Sequence, residues 1–114
     1  MFDNHQLAQI LVNLINNGLR FSSKTQPHAF VTLEVYEFGK SIHIDVIDTG
    51  HGVAKENIQY LFNPFFTTDN QSTGLGLYLS QAFCQANYAN LEYAPSERQT
   101  CFRIICQTKT LPSV

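Results

Sequence analysis

Asn13-Leu14-Ile15-Asn16-Asn17-Gly18-Leu19-Arg20 is the stretch on which the reading of this chain turns. Leu7, Ile10, Leu11, Leu14, Ile15 and Leu19 recur at helical spacing through it, so it lies inside an amphipathic helix. Asp3 and Gln6 have the spacing of a capping box and predict a start near Asn4. Asparagine is a poor helix former, yet Asn13, Asn16 and Asn17 stand within five residues and need a reason. Asn13, Asn17 and Arg20 fall at i, i+4 and i+7, which puts them on one face beside the apolar one.

Working outward, Val31, Leu33 and Val35 alternate with polar residues, and so do Ile42, Ile44 and Val46. Phe38-Gly39-Lys40 separates the two runs, which predicts a β-hairpin. The second run ends in Asp48-Thr49-Gly50-His51-Gly52. A short helix is expected from Ala54 to Leu61, then a loop from Asn63 to Thr73, rich in turn-forming residues. Thr73-Gly74-Leu75-Gly76-Leu77 opens a second long helix to about Asn87, with Leu75, Leu79, Ala82, Phe83 and Ala86 expected to face inward. Leu91 to Tyr93 and Cys101 to Cys106 read as strands around Pro95-Ser96-Glu97-Arg98. This order predicts one α+β domain over residues 1–114: a two-layer sandwich of a mixed or antiparallel sheet with helices on one face.

The motifs suggest chemistry together more than singly. A glycine loop opening a helix offers free N–H groups and a favourable dipole to phosphates. It is not a Walker loop, because no Lys-Ser/Thr follows, and it lacks the third glycine of a dinucleotide fingerprint. A strand-end carboxylate can accept from the exocyclic amine of adenine, and neighbouring glycines admit a flat ring. The plainer reading of Asp48 is turn chemistry, since Asp-Thr-Gly opens turns. An Asn17 carbonyl with phosphate oxygens would suit Mg²⁺, a cation that prefers oxygen and keeps waters. The plainer reading is an asparagine bonded within its own helix. Phe62-Asn63-Pro64-Phe65-Phe66 is a hinge before the loop or, for one or two rings, core packing. The three in order imply a nucleotide.

Composition excludes other classes. The chain has 114 residues and a net charge of −2 with no basic block, so a nucleic-acid groove is not expected. No apolar run reaches the ~18 residues of a membrane span. Only 14% of residues are charged and nine are Phe, so some apolar surface is expected to meet a partner. Cys84, Cys101 and Cys106 form no C-x-x-C pair and no zinc spacing. Cys84 and Cys106 read as buried thiols in a reducing cytosol.

In these motifs the chain resembles the catalytic and ATP-binding domain of sensor histidine kinases, of the GHKL type. Asn13 to Ser22 is similar to that family's N box, Asp48 to Val53 to its G1 box, Leu61 to Thr68 to its F box, and Ser72 to Leu77 to its G2 box. The match runs nearly the whole length, in order. The stretch from Gly74 to Tyr93, with its flanks, is most similar to the pilus-gene and nitrogen-regulation sensor groups.

The resemblance implies ATP and Mg²⁺ as cofactors. It implies Asn17 as the Mg²⁺ ligand, Asn13 near the phosphates and Arg20 on phosphate oxygens. Asp48 would take the adenine amine, helped by Gly50, Gly52 and Thr100. Thr73, Gly74, Leu75, Gly76 and Leu77 would line the phosphates, and Phe62, Pro64, Phe65 and Phe66 would form the F box before an ATP lid at about 63–73. The implied partners are a separate dimerisation domain bearing the phosphoacceptor histidine and, indirectly, a response regulator. No acceptor pattern follows His5, His28, His43 or His51, so no autophosphorylation by this chain alone is expected. His51 is expected to be a variable position of the G1 box.

Two departures from the family stand out. Asp69, Asn70 and Gln71 stand where relatives often carry a lid lysine, and the chain opens at the N-box helix, where relatives first have one or two strands. The expectation is therefore an N-terminally truncated fragment of a cytoplasmic catalytic domain, tied to a membrane only through upstream segments, with an open sheet edge able to pair with a second copy. The alternatives are a degenerate nucleotide-binding or docking module without phosphotransfer, a hydrolytic ATPase, disfavoured by Asn13 where a water-activating Glu is needed, and an anti-sigma-type serine kinase.

Overall fold

The computed structural model describes residues 2–23, 30–50, 52–67, 74–94 and 100–107, the side chains of 21–23 and 100 excepted. Helix α1 runs Asn4–Ser23, strands β1 and β2 run Val31–Phe38 and Ser41–Asp48, and α2 is a single turn, Lys55–Ile58. Helix α3 follows at Gly76–Ala86, then β3 at Ala89–Tyr93 and β4 at Thr100–Gln107. The element order is the expected one, with α2 shorter than its sequence pattern. No helix among the described residues is long and apolar enough to cross a membrane.

The four strands form one sheet in the order β1-β2-β4-β3, antiparallel throughout. The hairpin closes with Phe38 opposite Ser41, and Gly39 takes φ 61° at the first position of the two-residue turn. A type II′ turn requires a positive φ there, and its twist matches that of the strands.

Register sorts the faces. Val46, Ile104 and Leu91 lie side by side and meet Ile10 and Leu14 of α1 and Cys84 of α3 in the core. Both long helices therefore lie on one face of the sheet. Asp45 and Arg103, opposite each other in the register, point to the other face. At the β1 edge, the helix-side Leu33 and Val35 remain exposed.

The inward face of α3 differs in part from the expected one, although Phe83 packs on the core as expected. Leu79, Ala82 and Ala86 are exposed, whereas Ser80 and Cys84, at i and i+4, are fully buried. Hydropathy alone would turn the leucine inward. Where two helices pack closely, however, small side chains occupy the contact, and here Asn13 of α1 donates to Ser80 Oγ at 3.3 Å. Burial raises the Cys84 thiol to about 12, with the nearby Cys106 adding to the shift.

The capping box is half as expected. Asp3 Oδ1 accepts from Gln6 N–H at 2.9 Å, but Gln6 does not return the bond. Asn87, beyond the end of α3, takes the Asp3 N–H at 2.8 Å. Its amide nitrogen donates to Gln6 Oε1 and to the Phe83 carbonyl, both at 2.7 Å. One asparagine thus ties the start of α1 to the end of α3.

Candidate functional site

Asp48 ends β2 and is only 2% exposed. Its Oδ1 accepts the Gly50 N–H at 2.7 Å, so the turn chemistry is real and fixes the carboxylate's orientation. In the ladder it lies between Val31 of β1 and Thr100 of β4, which brings the Thr100 backbone beside it.

Helix α1 closes over this strand end through Gly18. A Cβ at Gly18 would sit 2.9 Å from Val31 Cγ2, 3.1 Å from Asp48 Cβ and 3.5 Å from Asp48 Oδ2. A mid-helix glycine costs about 1 kcal/mol relative to alanine, and here it gives the close approach of α1 to the carboxylate. That cost was the sequence signal; Gly18 was part of a motif without a role of its own.

The polar face of α1 lies toward α3. Asn13 bonds Ser80, and its Oδ1 accepts from Gln9 Nε2 at 3.0 Å, so both ends of this amide are engaged. Asn17, one turn on, is half-buried, and its Nδ2 is buried with no hydrogen-bond partner. An orphaned buried donor costs roughly 1–3 kcal/mol, and His43 Nδ1, on the other face of the sheet, is buried without a hydrogen-bond partner as well. Arg20 is half-buried on the same face and has interactions within the protein.

At the start of α3, Leu75 caps the helix and its carbonyl accepts the Leu79 N–H at 2.8 Å. Gly76 and Leu77 lie in the first turn, and an added Cβ at Gly76 would meet nothing within 4 Å. Gly74 precedes them at φ 75°. Thr73, His51 and residues 68–72 of the expected lid lie outside the described residues, as does the Thr100 side chain. Gly52, at φ 85°, leads into Val53, whose N–H donates to Tyr93 Oη at 3.1 Å. No spacing in the sequence announced this bond to Tyr93.

The F-box rings divide. Phe62 packs on the core and meets Phe102 edge-on at 6.2 Å, and Phe66 lies 5.9 Å from Tyr60. Pro64 and Phe65 are exposed. The core reading holds for Phe62 alone among the three phenylalanines.

The molecule's other polar cluster lies on the opposite face of the sheet. Asp45, 4% exposed, accepts from Arg103 Nε at 2.8 Å, Arg103 Nη2 at 3.1 Å and Tyr36 Oη at 2.9 Å. Burial by itself raises the Asp45 carboxyl, but the bonds from Arg103 and Tyr36 outweigh it and hold the group below its ordinary value. Burial raises the Tyr36 hydroxyl, and its bond to Asp45 raises it further. His43 lies 5.3 Å from the Tyr36 ring and stacks on Phe38 at 5.2 Å.

Among the described residues no three His, Cys, Asp or Glu side chains gather to hold a metal. The Asn17 side chain carries one amide oxygen, the kind of ligand Mg²⁺ accepts where phosphate oxygens and water complete its shell.

A profile of the family described as histidine kinase-, DNA gyrase B- and HSP90-like ATPase matches residues 2–110. The sensor protein kinase PilS of Pseudomonas aeruginosa is 44% identical over 105 residues, covering 90% of this chain and 20% of PilS. The catalytic domain of histidine kinase ThkA superposes with a TM-score of 0.81 at 21% identity, over 94% of this chain and 69% of that one. Full-length ShkA, solved in complex with AMPPNP, matches 89% of this chain and 21% of its own with a TM-score of 0.75 and 26% identity. The chain thus spans about a fifth of the length of PilS.

Proposed function

The chain belongs to the histidine kinase-, DNA gyrase B- and HSP90-like ATPase family, as a domain of the sensor-kinase kind, and from that premise we propose that it holds Mg²⁺-ATP for transfer of the γ-phosphate to a histidine on a separate dimerisation domain. The observation that carries this reading is the meeting of three motifs around α1: Gly18 lies against the buried Asp48, Asn13 bonds Ser80 of α3, and Asn17 between them has a buried amide nitrogen without a partner.

The roles follow from the chemistry of each group. Asp48 accepts the exocyclic amine of adenine, and Gly50 and Gly52 let the ring approach main chain. Thr100, opposite Asp48 in the ladder, stands at the same end of the pocket. Arg20 neutralises phosphate charge, and the first amides of α3, at Leu75, Gly76 and Leu77, donate to the phosphate tail. Asn17 would hold Mg²⁺, with Asn13 beside it; when bound, the ion supplies charge neutralisation on the phosphates. Asn13 has no basic carboxylate, so nothing at its position activates water, and the phosphoryl group is kept for another acceptor. The protein's share in that transfer is positioning and electrostatics.

Two measurements test the reading. Calorimetric titration with a non-hydrolysable ATP analogue should show saturable binding that strengthens with Mg²⁺. A supplied acceptor-helix domain should then gain labelled phosphate from ATP only when this chain is present. Binding without transfer would leave a nucleotide-sensing or docking module, and no binding would remove the proposal.

A further inference from the structure

We propose that Phe65 and Gly74 form a backbone latch that sets the position of the α3 N-terminus, and that position 74 is glycine to admit neighbouring main chain. The inference rests on the reading that the first amides of α3 face the phosphates of ATP.

The two glycines before and at the start of α3 are not equivalent. A methyl group at Gly76 would enter open space, so the protein's own packing does not require glycine there. A methyl group at Gly74 would lie 2.5 Å from the Phe65 carbonyl carbon, 2.7 Å from its Cα and 2.8 Å from its oxygen. All three are main-chain atoms, which cannot rotate aside as a side chain would. Gly74 also adopts φ 75°, a conformation that L side chains rarely take. Two separate requirements therefore converge on position 74 before any ligand is considered.

Phe65 supplies the other half. It sits at φ 67° although it is not glycine, and its N–H donates to the Gly74 carbonyl at 2.9 Å. Its ring is 73% exposed, so side-chain packing does not hold this conformation. Its neighbours do. Asn63 N–H bonds the Tyr60 carbonyl, Phe66 N–H bonds the Asn63 carbonyl, and Phe62 is packed on Phe102. The F-box turn is thus fastened to the core, and the latch carries that fixed position across to Gly74 and Leu75. Leu75 in turn begins α3 by accepting the Leu79 N–H. Phe65 and Gly74 are positioning residues; the amides at Leu75, Gly76 and Leu77 would make the phosphate contacts.

Four variants of the 114-residue chain test this: Gly74→Ala, Gly76→Ala, Phe65→Gly and Phe65→Pro. Each is followed by its nucleotide-free melting midpoint and by calorimetric affinity for ATP and for adenosine. Gly74→Ala should lower the midpoint and reduce the ATP-to-adenosine affinity ratio by at least about tenfold, because the base pocket at Asp48 is untouched. Gly76→Ala should keep the midpoint and weaken ATP alone. Phe65→Pro, which removes the donor and cannot reach a positive φ, should reproduce Gly74→Ala. Phe65→Gly should keep the ratio and should not lower the midpoint, since glycine takes the φ of 67° without strain.

Unchanged values in Gly74→Ala would overturn the latch, as would a Phe65→Gly variant as damaged as Phe65→Pro. Should Gly74→Ala not fold, the contrast between the two Phe65 variants still decides. A wild-type chain that binds neither ATP nor adenosine would instead overturn the phosphate reading, and with it what the latch positions. The midpoint contrast between Gly74→Ala and Gly76→Ala then tests the latch geometry by itself.

Discussion

Two buried carboxylates lie three residues apart on β2 and point to opposite faces of the sheet. Asp45 is bound on all sides by the fold: Tyr36 reaches it from β1, and Arg103 from β4 grips both of its oxygens. Asp48 bonds the Gly50 N–H of its own turn and is bordered by Gly18, a residue with no side chain. Both are nearly inaccessible, so burial does not distinguish them. Their surroundings do. A carboxylate filled by long-range charged partners holds strands together. One oriented by its own turn and edged by glycines is the one proposed above to meet the ligand. The odd spacing on one strand produces this division, since successive residues alternate between faces.

The largest effect expected from disturbing this pair is on binding. Asp48→Ala should lower affinity for ATP by at least about a thousandfold, the scale on which a site built to hydrogen-bond a ligand rejects the unmatched partner. Isothermal calorimetry measures it, and wild-type affinity in that variant would end the adenine assignment. The mirror experiment breaks the other carboxylate's environment. Arg103→Met leaves Asp45 buried without its cation and should cost about 3 kcal/mol of stability in denaturant unfolding. ATP affinity should stay within about twofold, because this face is not the proposed pocket.

Asp45 also gives a pH signature. Its folded pKa lies below the unfolded value, which is about 4. Its stabilising contribution is therefore complete above that pH and fades as pH falls through the folded value. Asp45→Asn should be less stable at neutral pH, with the deficit shrinking in acid; a constant deficit would mean that the charge is not what matters.

A smaller loss is expected where the two helices are tied at the far end. Asn87→Ala removes bonds to Asp3, Gln6 and Phe83. At about 1 kcal/mol for each net hydrogen bond, discounted for exposure, thermal unfolding should report a loss of about 2 kcal/mol. Adenosine affinity should not follow, since the base end of the pocket lies at the other end of α1.

The hairpin, the order of elements and the four family motifs were legible in the sequence because each is local. Alternation gives a strand its faces, and Gly39 gives the turn its φ. What escaped was non-local. The inward face of α3 was partly misjudged, because hydropathy favours Leu79, while the contact with α1 requires the small Ser80 and Cys84. The Tyr93 bond to Val53 spans forty residues of sequence and has no periodicity to betray it. Gly18 was visible as a helix-weakening residue, but its reason, the approach to Val31 and Asp48, appears only when strand and helix are brought together. Asn87 likewise read as the end of a helix, although it serves the start of another.

The smallest effect sharpens the comparison by separating strain that serves the site from strain that does not. Two described non-glycine residues adopt a positive φ, Phe65 at 67° and Tyr88 at 59°. Phe65 adjoins Gly74 and the start of α3. Tyr88 follows the C-cap of α3, is 78% exposed, and donates its N–H to the Gln85 carbonyl at 3.2 Å. A residue just past a helix end commonly turns left-handed, and glycine is favoured there because it has no Cβ to clash. The left-handed conformation costs an L-residue roughly 1–2 kcal/mol, part of which returns as the greater entropy glycine loses on folding. Tyr88→Gly should therefore stabilise the chain by about 0.5 kcal/mol, a rise of a few degrees at most in the melting midpoint, with nucleotide affinity unchanged. A fall in affinity would show that the left-handed turn after α3 is coupled to the pocket through the helix, unlike Phe65, where glycine should leave the ATP-to-adenosine ratio unchanged.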